Sequence, residues 1–324
     1  MARACWTTAP PLLRTVVGDL TMRLTNRVAV VTGAGRGLGR AHALALAAEG
    51  AAVVVNDIGG NIHGEGNDPA PAELVAQEIR RTGGRALASG HDVSDWNQAK
   101  QMVDAAIAAF GRLDVLVNNA GILRDRTLAN MSEAEWDAVV RVHLKGYAAP
   151  TIHALAYWKA QSKEGKEVCA SLIHTSSIAG FVGNFGQGNY SAAKLGLLAL
   201  SRVAALEAAQ YGVRSNIVAP GARTRLASTI AGWETELAAP DDPNTFDRYD
   251  PKNVSPLIVW LAAIDCPATS QIYFIAGNRL MVLSMPPILH DLTTKGRWNL
   301  DELDRELPLR MVTPAALSVF DFRD

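Results

Sequence analysis

Thr32-Gly33-Ala34-Gly35-Arg36-Gly37-Leu38-Gly39 stands between an unbroken apolar run, Val28–Thr32, and an Ala/Leu-rich stretch, Arg40–Glu49. A glycine-rich turn can be a plain strand-to-helix joint. With a strand before it, a helix after it and an acid downstream, it reads as a loop whose backbone approaches a pyrophosphate at a helix N-terminus. The rhythm then repeats. Ala52–Asn56, Arg85–Ser89, Val115–Asn118, Ser171–Thr175, Arg214–Val218 and Gln271–Ala276 read as strands. Between them lie helical patterns, among them Asp95–Phe110, one opened by the capping box Ser132–Glu135 and running through His143, Tyr190–Gln210, and Leu257–Ile264 behind Ser255-Pro256. Alternation of this kind predicts an α/β fold, a doubly wound parallel sheet with helices on both faces.

Composition narrows the setting. The 324 residues are 48% apolar with a formal net charge of −1, so the chain can bury a large core and offers no electrostatic case for nucleic acid. No apolar run is long enough for a membrane span. Cys5, Cys169 and Cys266 show neither a disulfide framework nor metal-ligand spacing, so no metal is expected and a cytoplasmic location fits. Residues 1–22 are read as a disordered extension, 23–277 as one domain, and 278–324 as a C-terminal extension packing on the domain or on a neighbouring subunit. In that extension 300–307 reads as a short helix, and Met311–Phe322 is apolar enough to pack.

The remaining motifs fall at the carboxyl ends of strands, where an open α/β sheet takes its ligand. Asp57 closes the second strand, and a carboxylate there accepts from ribose hydroxyls and repels a 2′-phosphate, which favours NAD. Arg36 in the glycine loop pulls toward that phosphate instead. Asp92-Val93 follows the third strand and Asn118-Asn119-Ala120-Gly121 the fourth; alone, such groups are ordinary turn formers. Tyr190 and Lys194 are four residues apart and share a helix face, a phenol beside an ammonium, preceded by Ser177 at the end of the fifth strand.

Taken in order, the Thr-Gly-x-x-x-Gly-x-Gly loop, Asn-Asn-Ala-Gly, the serine and Tyr-x-x-x-Lys resemble the short-chain dehydrogenase/reductase family over roughly four-fifths of the chain. The resemblance implies a single-domain Rossmann fold with about seven strands ordered 3-2-1-4-5-6-7, and hydride transfer between a nicotinamide and a carbonyl or alcohol. It implies Tyr190 as general acid/base, Lys194 as ribose ligand lowering the phenol's pKa, and Ser177 as donor to the substrate oxygen. It implies a cofactor cradle of Thr32, Gly33, Gly35, Arg36, Gly37, Leu38, Gly39, Asp57, Asp92, Val93, Asn119, Ala120, Gly121, Pro220 and Gly221, with NAD as cofactor. Many members carry an Asn in a proton relay where this chain has His143, which is either a relay group or a structural histidine.

Val55–Gly60, Gly121–Arg126, Val142–Leu144 and Gly183–Gln187 resemble one branch, the dehydrogenase domains of peroxisomal multifunctional enzymes type 2. That branch implies oxidation of 3-hydroxyacyl-CoA or hydroxysteroids. With no room for the further domains of those enzymes, and no peroxisomal address at Phe322-Arg323-Asp324, a free-standing bacterial-style dehydrogenase is expected. The stretch from 221 to about 250, containing Trp233, would be a substrate lid, with Arg223 and Arg225 as candidate substrate contacts. The family also implies a homodimer or homotetramer. An NADPH-dependent 3-oxoacyl reductase and a non-catalytic dinucleotide sensor are the competing readings.

Overall fold

The computed structural model describes residues 22–227, 237–242, 244–285, 289–293 and 297–310. Residues 1–21, Trp233 in the stretch expected to be a lid, and Met311–Phe322 therefore lie outside the described residues. The sheet has eight strands in the order β3-β2-β1-β4-β5-β6-β7-β8: β1 Val28–Thr32, β2 Ala52–Asn56, β3 Arg85–Ser89, β4 Val115–Asn118, β5 Ala170–Thr175, β6 Val213–Gly221, β7 Ile272–Ala276 and β8 Arg279–Leu283. The first seven run parallel in the expected order. Every residue of β1, β2, β4, β5 and β7 is buried, which is why these segments read as continuous apolar runs and not as alternation.

Helices α1 Gly37–Ala48, α2 Ala70–Arg81 and α8 Ser255–Ala262 close one core with Val31, Val53, Val55 and Ile258. On the opposite face α3 Trp96–Phe110, α5 Gly146–Lys163 and α7 Gly188–Ala208 pack Met102, Trp158 and Ala204 against Val30, Val54 and Leu172. Three further helices are α4 Glu133–Val140, α6 Ala179–Val182 and, in the C-terminal stretch, α9 Leu300–Glu306. Switching strand order at β1/β4 opens the crevice that faces the carboxyl ends of the strands.

Three features depart from the sequence reading. The sheet does not stop at seven strands: Gly277-Asn278 turns the chain back, and β8 pairs antiparallel with β7 from Ile272↔Leu283 to Ala276↔Arg279. The capping box at Ser132 does open α4, Glu133–Val140, but a π-helical turn, Arg141–Lys145, then carries the chain into α5 and turns His143 inward. Helix α8 begins at Ser255, ahead of the expected Leu257, and ends at Ala262; the Ser255 hydroxyl, which the sequence offered as an N-cap, instead bonds to buried His42 Nδ1 at 2.9 Å.

Candidate active site

One cavity of about 500 Å³ runs along the carboxyl ends of the strands. Its floor at one end is the glycine loop. Gly33 holds φ +64°, and a Cβ added there would meet Ala120 Cα at 2.8 Å. No side chain caps the first turn of α1, so its backbone N–H groups stay open toward an anion. Asn119 braces the loop from behind by donating to the carbonyls of Thr32 and Gly33 at 3.0 and 3.3 Å. The Thr32 hydroxyl accepts from the backbone N–H of Asn119 and Ala120 at 2.8 and 3.1 Å.

Not every residue expected in the cradle faces it. Gly33, Arg36, Gly37, Leu38, Gly39, Asp57, Asp92, Val93, Asn119, Ala120, Gly121, Pro220 and Gly221 line the cavity. Thr32 is fully buried behind the wall as a brace, and Gly35 donates its N–H to Asp57 at 2.8 Å, so both shape the cradle without lining it. Asp57 is also held by the Gly59 N–H at 2.7 Å, which fixes the carboxylate at the end of β2. Burial works against the Asp92 carboxylate, yet hydrogen bonds from Ser94 and Arg141 hold it below its ordinary pKa.

At the other end the cavity is lined by Ser177, Tyr190 and Lys194. Tyr190 and Lys194 sit on α7, and Ser177 follows β5 on the way into α6. The Ser177 hydroxyl accepts from the Ala179 N–H at 3.2 Å and stands close enough to the phenol to favour its ionised form. Burial of the Tyr190 hydroxyl pushes the phenol up to about 12, which the Ser177 contact only moderates and the nearby Asp125 carboxylate reinforces. Burial likewise lowers the Lys194 ammonium to about 7. The phenol therefore sits above its ordinary value, where the sequence reading placed it below. The lysine does not bond to it: Nζ donates to Thr175 O at 2.6 Å and to Tyr147 Oη at 3.1 Å, and lies 5.6 Å from the Tyr190 ring centroid.

His143 packs edge-on against Tyr190, ring centroids 4.9 Å apart. Its Nε2 lies 2.7 Å from Ile122 O and 3.1 Å from Ile122 N, tying the loop after β4 to the π turn. Burial, with Lys194 nearby, keeps this imidazole neutral. His42 and His174 are lowered to about 3 by burial in the same way. An unfolded chain binds protons on these rings below its ordinary pKa of about 6.5, whereas the folded chain does not. Stability is therefore expected to fall as pH drops from about 6.5 toward 3, by about 2 kcal/mol per histidine at pH 5. Urea midpoints at pH 7.5 and 5 check this.

The two substrate candidates separate. Arg223 lies off the cavity, paired with Asp247 and donating to Leu237 O at 2.9 Å, so its charge clips the two ends of the 221–250 stretch together. Arg225 does line the cavity, but close to Arg36 and Asp57, at the glycine-loop end and away from Tyr190. Two groups escaped the sequence reading. Residues 60–64 also line the cavity, held by the Leu123 N–H to Ile62 O bond of 2.9 Å and by Arg124 to His63 O at 3.1 Å. Tyr147 is four residues after His143, a spacing that would have flagged it, but its partner Lys194 is 47 residues away.

The short chain dehydrogenase family model matches residues 27–234, a span that includes Ser177, Tyr190 and Lys194. The chain belongs to the short chain dehydrogenase family. It is an oxidoreductase acting on CH–OH groups with a nicotinamide dinucleotide. Among relatives of this short chain dehydrogenase, the hydroxyacyl-CoA dehydrogenase ChsB1 of Mycobacterium tuberculosis is 40% identical over 292 residues, covering 89% of each chain. Peroxisomal multifunctional enzyme type 2 of Mus musculus is 41% identical over 257 residues, 79% of this chain. The match spans 32% of that longer enzyme. The crystal structure of a short chain dehydrogenase from Mycobacterium avium is 47% identical, with a TM-score of 0.76 over 87% of this chain and 93% of that one. Among the described residues no helix is long and apolar enough to cross a membrane.

Proposed function

We propose that this chain is an NAD-dependent dehydrogenase for the secondary alcohol of a 3-hydroxyacyl-CoA or a hydroxysteroid, serving fatty-acid or sterol breakdown in the cytoplasm. The observation that carries the reading is the single cavity holding Ser177, Tyr190 and Lys194 at one end and the glycine loop with Asp57 at the other. The name of the mycobacterial relative, a hydroxyacyl-CoA dehydrogenase, supports the hydroxyacyl-CoA part of that class. When bound, the dinucleotide supplies the hydride acceptor. Gly33, Gly37 and the first turn of α1 would hold its pyrophosphate, Asp57 its adenosine ribose, and Lys194 the ribose beside the nicotinamide. Tyr190 would take the proton of the substrate hydroxyl in oxidation and return it in reduction. Ser177 would donate to the substrate oxygen and steady its developing charge. His143 would act through the loop it anchors, keeping Gly121 and Ile122 against the wall.

The fixed Asp57 carboxylate supports NAD over NADP, since a 2′-phosphate would meet a like charge. Arg36 and Arg225 work against that preference from the same end. We expect kcat/KM with NAD to exceed that with NADP by about tenfold or more, and Asp57→Asn to narrow the gap. Following NADH formation over 3-hydroxyacyl-CoAs, hydroxysteroids and simple secondary alcohols tests the substrate class. A preference for NADPH and a 3-oxoacyl substrate would favour the reductase reading instead. Exposed Trp136, Leu195, Val203 and Leu206 on α4 and α7 support assembly into a homodimer or homotetramer, which light scattering would read.

A further inference from the structure

Lys194 is 2% exposed, and its ammonium has an aromatic neighbour outside the Ser177, Tyr190 and Lys194 set. Tyr147, on the first turn of α5, is fully buried. It meets the same nitrogen through its hydroxyl at 3.1 Å, and Nζ lies 4.7 Å from the ring centroid, toward the hydroxyl end. Both contacts favour a cation, one by accepting a charge-assisted hydrogen bond and the other by cation–π attraction. Burial alone drives such a nitrogen toward its neutral form.

Tyr147 is itself held rigidly. Its backbone carbonyl and Thr151, one turn along α5, both accept from Asn118 Nδ2, at 3.5 and 3.0 Å. The same amide reaches His174 Nδ1 at 3.2 Å. The His143 and His174 rings lie near the Tyr147 ring, each 6.4 Å centroid to centroid. Neither imidazole carries a competing charge, because burial keeps both neutral. The groups facing Lys194 are thus Tyr190 on α7, the Thr175 carbonyl and His174 on β5, His143 in the π turn and Tyr147 on α5, with Asp125 acting on Tyr190 from the loop after β4.

We propose that Tyr147 is a positioning residue that acts through Lys194, its hydroxyl and ring together holding the ammonium charged and in place beside Tyr190. This rests on the functional reading above. Reduction of a ketone needs a protonated Tyr190 and a charged Lys194, so its rate falls as pH rises through the point where Lys194 loses its proton. Tyr147→Phe keeps the ring and removes the acceptor, and so makes the charge easier to lose.

The test compares kcat for ketone reduction between pH 5.5 and 9.5 in the full chain, Tyr147→Phe and Tyr147→Met, using whichever reduced dinucleotide the unaltered chain accepts. Its alkaline limb should move to lower pH by about one unit in Tyr147→Phe, giving about a tenfold loss at pH 8.5 and little loss at pH 6. KM for the ketone and reduced-dinucleotide binding, followed by fluorescence, should stay within about twofold. Tyr147→Met, which also removes the ring, should shift the limb further and carries the test if the phenylalanine variant does not fold. In a Lys194→Met background, Tyr147→Phe should add nothing. Profiles that superimpose, or a loss equal at every pH, overturn the role of Tyr147. An unaltered chain that turns over no alcohol or ketone with either dinucleotide overturns the functional reading and this proposal with it.

Discussion

Tyr190→Phe should lower kcat by about 10²–10⁴-fold while leaving dinucleotide affinity nearly unchanged. The substitution deletes one oxygen and keeps the ring that packs edge-on against His143, so the wall of the cavity survives. What is lost is the proton exchange with the substrate oxygen. The phenol's high pKa sharpens the expectation. A phenol pushed up to about 12 holds its proton, and the phenolate that oxidation needs is scarce, so the unaltered chain should run oxidation faster as pH rises. The variant should lack that dependence. Steady-state rates in both directions, with dinucleotide binding followed by fluorescence, decide it; unchanged turnover in Tyr190→Phe would remove the proposed mechanism.

Gly39→Ala should damage the fold and the cradle together. A Cβ at this position would stand 2.2 Å from Gly33 O, 2.7 Å from Asn119 Nδ2 and 2.8 Å from Ala34 Cα. Two of those neighbours are backbone of the same loop, and the third is the side chain that braces it. None can yield without moving α1 off β1. Overpacking of this kind costs about 1–3 kcal/mol or more, corresponding to a fall in Tm of several degrees for a domain of this size. Dinucleotide affinity should fall with it, because the displaced loop is the cradle itself. A variant that melts and binds as the unaltered chain does would show that the loop adopts another conformation.

The parts legible in the sequence share a property: their meaning is local. The glycine loop, the Asp57 position and the Tyr190–Lys194 pair are each set by spacing within one turn or one strand-helix joint, and the structure brings them to one cavity. Arg223 was misplaced because its fate depends on Asp247, 24 residues on, which neutralises it before any substrate could. Thr32 looked like a ligand contact because it opens the motif, yet its hydroxyl serves the backbone of the neighbouring strand's loop. The π turn at Arg141–Lys145 carries no residue pattern that distinguishes it from continuous helix. Strand β8 did leave a signal, a Gly-Asn pair followed by an apolar run. The resemblance, which implies about seven strands, has no place for it.

That last strand bears on how the chain assembles. Each other neighbouring pair in the sheet is parallel and must wait for an intervening crossover segment, or in the case of β1 and β4 for two further strands as well. Strands β7 and β8 are joined by two residues, with Gly277 at φ +58°, so their pairing has the lowest loop-closure entropy in the sheet. Hairpins of this kind form in microseconds. The far edge of the sheet is thus its fastest local nucleus, a ready-paired ribbon onto which β6 can dock, while the half that carries the glycine loop has to close long loops before any strand finds its neighbour.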